Sequence, residues 1–460
     1  MTFLFVIATM YFLGLTFVVF YKMINSGNPI YAIYFVIGFL PIYGVYLALS
    51  YQQTASVDFV NIIKYTKDII ILTGLVVFIV FNKNIFQQPF KIILLDKLIL
   101  FFTLLNIFFT LFPIGPVAFA EKAVYLKNIL YMPLAYFFGR NSSISHIQFK
   151  SIIYSILSLG LIATVVALFE SYFNIHLHTL IGYSDYNFDL KNISPSGHYG
   201  LTWTFENGYN EKRFGSFFSD PLELSASMLL PFSIATALLL NTKFNRNKVF
   251  YLILLIFLTL IFVLGASRSS GLGLILMLIY VAIMLKYYRL ISMLFSVILI
   301  LIIYTLYFAP EEMLFYLIDT ITFQNTSSIG HVIEWLNAID SIISDPWGIG
   351  LGTSGNINII EADNKIGGEN QFLIYGVQTG VIGMLLYIVI TTLAISKSLT
   401  VYRQAISTNE KIISFVTTSV KFGLILPLLT SNAESYLFVF FITWWLTGYS
   451  MSFYGHHQLT

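Results

Sequence analysis

The sequence predicts an all-α, polytopic integral membrane protein, and three observations predict it. Of the 460 residues, 57% are apolar and 10% charged, and the mean hydropathy is +0.82; a soluble domain carries about half and about a quarter. Apolar runs recur from end to end, each long enough to cross a hydrocarbon core about 30 Å thick. Lys and Arg fall in alternate short loops between those runs. A soluble globular enzyme is therefore excluded. The 24 basic and 22 acidic residues give a formal charge of +2, which points to no nucleic-acid partner. With no cysteine, disulfides, thiolate metal sites and cysteine nucleophiles are excluded. The first run has no basic residue before it and no small-residue cleavage pattern after it, so a retained span is expected rather than a signal peptide.

About thirteen transmembrane helices are expected, each bounded by charges, Asn/Gly clusters or Pro. The first six run 2–21, closed by Lys22; 29–50; 62–81, ahead of Lys83; 92–113, after Lys91; 122–139, closed by Arg140; and 151–172, after Lys150. The next four run 221–241, opened by Asp220 and Pro221; 249–266, after Lys248; 270–286; and 289–308. The last three run 371–396, ahead of Lys397; 411–430; and 434–453. Lys64, Lys67, Asp96, Lys97 and Lys127 eat into the third, fourth and fifth.

Orientation follows from the basic loops, since translocating Lys and Arg is disfavoured. Lys22, Lys83 with Lys91, Arg140 with Lys150, Lys243 with Arg246 and Lys248, Lys286 with Arg289, and Lys397 with Arg403 all fall on one side when thirteen spans alternate. That side is the cytoplasm, with the amino terminus outside and the carboxyl terminus inside. The chain then divides into N-terminal helices (1–172), a first extracytoplasmic segment (173–220), central helices (221–308), a large acidic extracytoplasmic loop (309–370) and C-terminal helices (371–460).

In the large loop Glu311, Glu312, Asp319, Glu334, Asp340, Asp345, Glu361, Asp363 and Glu369 oppose only Lys365. Residues 331–344 place Val332, Ile333, Leu336, Ile339 and Ile343 on one helical face, with Glu334, Asn337 and Ser341 opposite. Pro346 stops that helix. A membrane-resting or lid-like helical loop is expected.

Three residues carry the strongest chemical signal. Arg268 lies in Gly265-Ala266-Ser267-Arg268-Ser269-Ser270-Gly271, a tight turn between two spans. An arginine flanked by serines there reads as an oxyanion-binding turn, against a competing reading as a snorkelling surface charge. Arg213 precedes the seventh span, where Asp220 is a good N-cap with Pro221 at the first helical position. It is delivered close to a helix amino terminus, which favours anions, or it pairs with Glu211. Glu369 stands just before the eleventh span, either as a general base at a dry interface or as a charge complementing the helix dipole. Gly350 to Gly355 fits G-x-G-x-x-G but lacks the strand-turn-helix setting of a nucleotide site. His331 with Glu334, and His176 with His178, lack a third ligand at a characteristic interval, so no metal is expected.

Arg213 to Pro221, then Ser267 to Gly273, then His331-Val332-Ile333-Glu334-Trp335, Pro346 to Gly352, Glu369-Asn370-Gln371-Phe372-Leu373 and Gly380-Val381-Ile382-Gly383 together resemble the O-antigen polymerase and O-antigen ligase superfamily. The resemblance covers about residues 210–390. It implies a GT-C-like bundle in the bacterial inner (plasma) membrane, with its site facing the periplasm or cell exterior. Many members begin the loop helix with Arg where this chain has His331, so a third phosphate-binding Arg is not carried over. Ligases have His where this chain has Glu369, and the acidic residue looks more like the polymerases.

The family implies a glycosyltransferase of polysaccharide biosynthesis that joins undecaprenyl-pyrophosphate-linked repeat units into a cell-envelope polysaccharide, such as lipopolysaccharide O-antigen, capsule or exopolysaccharide. On that reading Arg213 and Arg268 stabilise the leaving pyrophosphate without a metal or cofactor, Glu369 accepts the proton of the attacking hydroxyl, and Ser267, Ser269, His331 and Asn370 contact substrate. A flippase and a chain-length regulator are the implied partners. Two alternatives stay open. One is a ligase transferring glycan to lipid A core. The other is a secondary transporter, which would place its charges near mid-membrane rather than at the ends of spans.

Overall fold

The computed structural model describes residues 1–81, 92–142, 144–207, 211–242, 246–308, 318–319, 322, 326–355 and 366–457. Lys83, Lys91, Lys243, Glu311, Glu312, Glu361, Asp363 and Lys365 lie outside the described residues. The elements among the described residues are helices: α1 (Thr2–Ser26), α2 (Tyr31–Phe39), α3 (Tyr43–Thr54), α4 (Val57–Phe81), α5 (Leu94–Leu111), α6 (Phe119–Ile129), α7 (Tyr131–Arg140), α8 (His146–Phe173), α9 (Leu177–Leu180) and α10 (Tyr183–Lys191). Then come α11 (Pro221–Asn241), α12 (Arg246–Leu264), α13 (Arg268–Met284), α14 (Tyr288–Phe308), α15 (Thr326–Ser344), α16 (Gln371–Gln404), α17 (Thr408–Gly423), α18 (Ile425–Thr430) and α19 (Leu437–His457).

All thirteen apolar runs are helical, and among the described residues nine helical stretches are long and apolar enough to cross a membrane. This is the make-up of a polytopic membrane protein. Four runs lie outside the nine: that of α4, which carries Lys64, Lys67 and Asp68; that of α6 and α7, which are separate pieces; that of α13, which is short; and that of α14. Large apolar side chains stand exposed along α1, where only Phe12, Val19 and Met23 are buried, as a lipid-facing helix requires.

Three of the runs expected to be continuous are broken at a proline. Pro41 lies in the 3₁₀ turn between α2 and α3, Pro133 just after the break at Leu130, and Pro427 just after the break at Leu424. A proline donates no N–H and crowds the preceding turn, so the helix restarts around it. Helices α7 and α19 run together through glycines. A Cβ added at Gly139 would lie 2.8 Å from Tyr449 N, and one at Gly448 2.7 Å from Arg140 N.

Several charges in the marginal runs meet partners within the bundle. Lys127 pairs with Asp68 at 2.8 Å, Arg140 with Asp96 at 3.5 Å, Tyr136 donates to Asp96 at 2.5 Å, and Lys67 donates to Tyr43 at 3.0 Å. Ion pairs between spans make charge within the bundle tolerable. Arg140 and Asp96 lie at one end of the bundle, where Asn409 also meets His146 at 3.1 Å and Lys397 donates to Tyr454 at 3.1 Å. The loops bearing Arg140 with Lys150 and Lys397 with Arg403 therefore share that end.

The opposite end carries residues 173–207 and 211–220, the starts of α11, α13 and α16, and the loop helix α15. Tyr51, near the end of α3, donates to Asp189 of α10 at 2.9 Å. After α15 the chain runs alongside α16 as an extended segment. Helix α16 breaks at Gly380, where φ is 74° and ψ −177°, which frees carbonyls one turn back. Ile349 N–H donates to Val377 O at 2.9 Å, Gly350 N–H to Gln378 O at 3.1 Å, and Val381 N–H to Pro346 O at 3.0 Å. Gln378 closes the set by donating to Tyr125 at 2.7 Å and to the Ser354 carbonyl at 2.6 Å. Gly348 has φ 90°, and a Cβ there would sit 2.5 Å from Gly380 N. The glycine repeat thus serves close backbone pairing, the use glycine has where two backbones must meet.

Candidate functional site

The turn carrying Arg213 hangs on three anchors. Arg213 N–H donates to Phe205 O at 2.8 Å and Phe214 N–H to Leu264 O at 3.0 Å. Glu170, at the end of α8, accepts from Ser216 N–H at 2.7 Å and Leu177 N–H at 2.8 Å. The Phe214 bond decides the geometry, because Leu264 closes α12 just ahead of Arg268. The two arginines therefore ride on backbone segments that are directly hydrogen-bonded. Glu211, the competing partner for Arg213, instead accepts from Asn207 at 2.8 Å.

Asp220 is the N-cap of α11, its carboxylate accepting from Leu222 N–H at 2.7 Å and Glu223 N–H at 2.8 Å. Such a cap stabilises a helix by about 1 kcal/mol. Burial raises the Asp220 pKa, opposed by those two N–H bonds and by the charges of Lys191 and Arg213. Lys191, which no sequence motif singles out, is thereby placed beside the site. Burial, helped by the charge of Lys64, lowers its ammonium to about 8, and it lies 5.0 Å from the Tyr186 ring centroid.

Arg268 opens α13. Its side chain reaches the loop helix, Nη1 donating to Ser328 Oγ of α15 at 3.4 Å. Ser267, expected to contact substrate, is the N-cap of α13: its hydroxyl accepts from Ser270 N–H at 3.4 Å and touches Ser270 Oγ at 3.2 Å and Ser269 Oγ at 3.4 Å. Asn370 is likewise a cap, accepting from Phe372 N–H at 3.0 Å and Leu373 N–H at 3.2 Å at the start of α16. Both serve to aim helix starts.

Glu369 Oε2 lies against His331 Nδ1 of α15, the two side chains being 37% and 26% exposed. Trp335 Nε1 points at the Glu369 carbonyl from 3.5 Å. Glu369 also belongs to the same electrostatic neighbourhood as Asp220. The buried Tyr436 phenol, just ahead of α19, has its pKa raised first by burial, then by Asp220, and further by Glu223 and Glu369. The fold thus gathers Arg213, Arg268, Ser269, His331 and Glu369 at one end of the bundle, with Lys191, Asp220 and Tyr436 beside them.

His176 and His178, also at this end, are packing groups. His178 makes a 2.7 Å contact with the Phe218 carbonyl and lies edge-on to Phe205 and Tyr183. Burial lowers it to about 3 and His176 to about 4, so both are neutral at neutral pH. Among the described residues no three His, Asp or Glu side chains gather as a metal site.

No protein-family model matches this chain, and no curated protein matches it.

Proposed function

We propose that the protein is a polysaccharide polymerase of the cell envelope, joining undecaprenyl-pyrophosphate-linked repeat units at the outer face of the bacterial plasma membrane. What supports the reading most is the pairing of two guanidinium-bearing turns through the Phe214–Leu264 hydrogen bond, beside a half-exposed carboxylate. Breaking the sugar–phosphate bond leaves charge on the pyrophosphate, and Arg213 and Arg268 meet it with charge-assisted hydrogen bonds. The acceptor hydroxyl attacks the anomeric carbon from the opposite side as its proton passes to Glu369. Displacement is inverting, and on this reading thirteen spans in a GT-C-like bundle, with the basic loops in the cytoplasm, would face these residues outward.

The test is reconstitution of the full-length protein with lipid-linked repeat units extracted from the native host. A ladder of longer lipid-linked glycans is expected, insensitive to EDTA, with Glu369→Gln slowing it by about two to four orders of magnitude. Transfer only to lipid A core would make the protein a ligase. A ladder at the wild-type rate from Glu369→Gln would remove Glu369 as base.

A transporter is the second reading, favoured by one observation. Lys421 is buried within the bundle, 3.2 Å from the Trp444 ring centroid, and Glu434, whose carboxylate accepts from Tyr375, lies in its electrostatic field. Buried charges beside broken helices are the habit of transporters. Uptake of glycan lipid into liposomes with no change in chain length would decide for it.

A further inference from the structure

Helix α15 presents Ser328, His331, Trp335, Ala338 and Ile342 along one stripe, with spacings that alternate between three and four residues. Every member of that stripe meets another part of the protein. Ala338 and Ile342 are buried with Val377, against Leu373 and Met384. A Cβ at Gly367 would lie 2.9 Å from the Ala338 side chain, so the chain leading to Glu369 lies flush on the helix. The other half of the stripe is polar and touches the machinery: Ser328 meets Arg268, His331 meets the Glu369 carboxylate, and Trp335 faces the Glu369 carbonyl. Docking and site contact are therefore divided between the two ends of one helical face.

That division separates two roles His331 can have. Helix α15 is held by apolar contacts two and three turns further on, so His331 is not needed to dock it. Its Nδ1 faces Glu369 Oε2, so that nitrogen is not offered to a phosphate. A carboxylate in the loop ahead of a helix rotates unless one oxygen is held, and an unaimed base loses most of its value. We infer that His331 is a positioning residue for Glu369, holding one carboxylate oxygen so that the other receives the acceptor proton.

The inference rests on the reading of Glu369 as the general base. In the step served, the acceptor oxygen bonds to the anomeric carbon while the bond from that carbon to the phosphate oxygen breaks. The pyrophosphate leaves with the electron pair, and the hydroxyl proton goes to Glu369. The charged and titratable groups around the pair are Glu334 on the same helix, Arg268 through Ser328, and Tyr436 in the field of Glu369.

The experiment is a mutant cycle on the full-length protein in nanodiscs, fed with lipid-linked repeat units from the native host. His331→Ala is expected to lower kcat by about 10- to 100-fold, with donor KM and thermal stability held. His331→Gln, whose side-chain amide can still donate to the carboxylate, recovers much of the rate. In a Glu369→Gln background, His331→Ala adds nothing further, because the group it aims has lost its basicity. A normal rate for His331→Ala, a loss that repeats in full in the Glu369→Gln background, or a rise in donor KM with kcat unchanged would overturn the inference and leave Glu369 as base. A wild-type rate for Glu369→Gln would instead overturn the reading of the base itself, and this inference with it.

Discussion

The two ends of the bundle each carry arginine and carboxylate side chains, and the fold treats them in opposite ways. At one end Asp96 is enclosed: Arg140 and Tyr136 meet one of its oxygens, Ile93 N–H donates to the other at 2.9 Å, and the Asp96 and Arg140 side chains are 1% and 5% exposed. At the other end Glu369 has His331 on one oxygen and stays more than a third exposed, while Arg268 contacts the loop helix at Ser328. The first arrangement is filled from within the protein, so its energy goes into holding α5 against α7. The second leaves its carboxylate partly open to solvent. Charge alone does not mark a site in a membrane bundle.

That contrast breaks first at Arg268. Lys keeps the charge but loses the planar fork, so Arg268→Lys is expected to cut polymer synthesis by about 10²- to 10³-fold while leaving thermal unfolding in detergent unchanged. A fully active variant would reduce Arg268 to a surface charge. Asp96→Asn should do the reverse. Removing one member of a buried pair strands the other, at a cost of about 3–5 kcal/mol, so the melting temperature falls while turnover per folded molecule holds. Equal turnover losses from the two variants would erase the distinction between the ends.

The smallest effect sharpens the contrast within the site end itself. His176 and His178 are depressed by burial to about 4 and about 3, below the ordinary value near 6.5. The unfolded segment therefore binds more protons than the folded one. Their contribution to stability is complete above about pH 6.5 and is lost as pH falls toward 4 and then 3. Amide exchange, corrected for its intrinsic pH dependence, should rise over residues 176–206 between about pH 5 and 3.5 and stay flat over α19. A uniform rise would mean that these two rings do not govern the segment.

Much of this was legible from local pattern. Each apolar run is a helix because backbone groups in lipid have no partner but their own chain. Asp220 caps α11 as its place before Pro221 predicts. The helix over 331–344 exists and extends back to Thr326. Its packed edge, however, is the Ala338–Ile342 side, while Ile333, Leu336 and Ile343 of the expected apolar face stand exposed. The breaks at Pro41, Pro133 and Pro427 were written in the sequence but hidden by hydropathy, which averages across them. The His331–Glu369 pair, the place of Lys191 beside Asp220, and the anchoring of Arg213 through Glu170 had no local signal. Each joins distant parts of the chain.

The extended segment after α15 has a mechanical consequence. It fastens the end of α15 at Ser344 to the break in α16, through the Pro346, Ile349 and Gly350 backbone bonds, while Ser328 and His331 work at the far end. At 1.5 Å per residue, Ser328 lies roughly 24 Å from that fastening. Helix α15 is thus a boom stepped at its foot. A swing of only about 10° carries its tip through roughly 4 Å, further than the reach of a hydrogen bond. The glycines at the foot set the angular tolerance of the tip, and a small wedge there would be amplified where Arg268 and Glu369 are met.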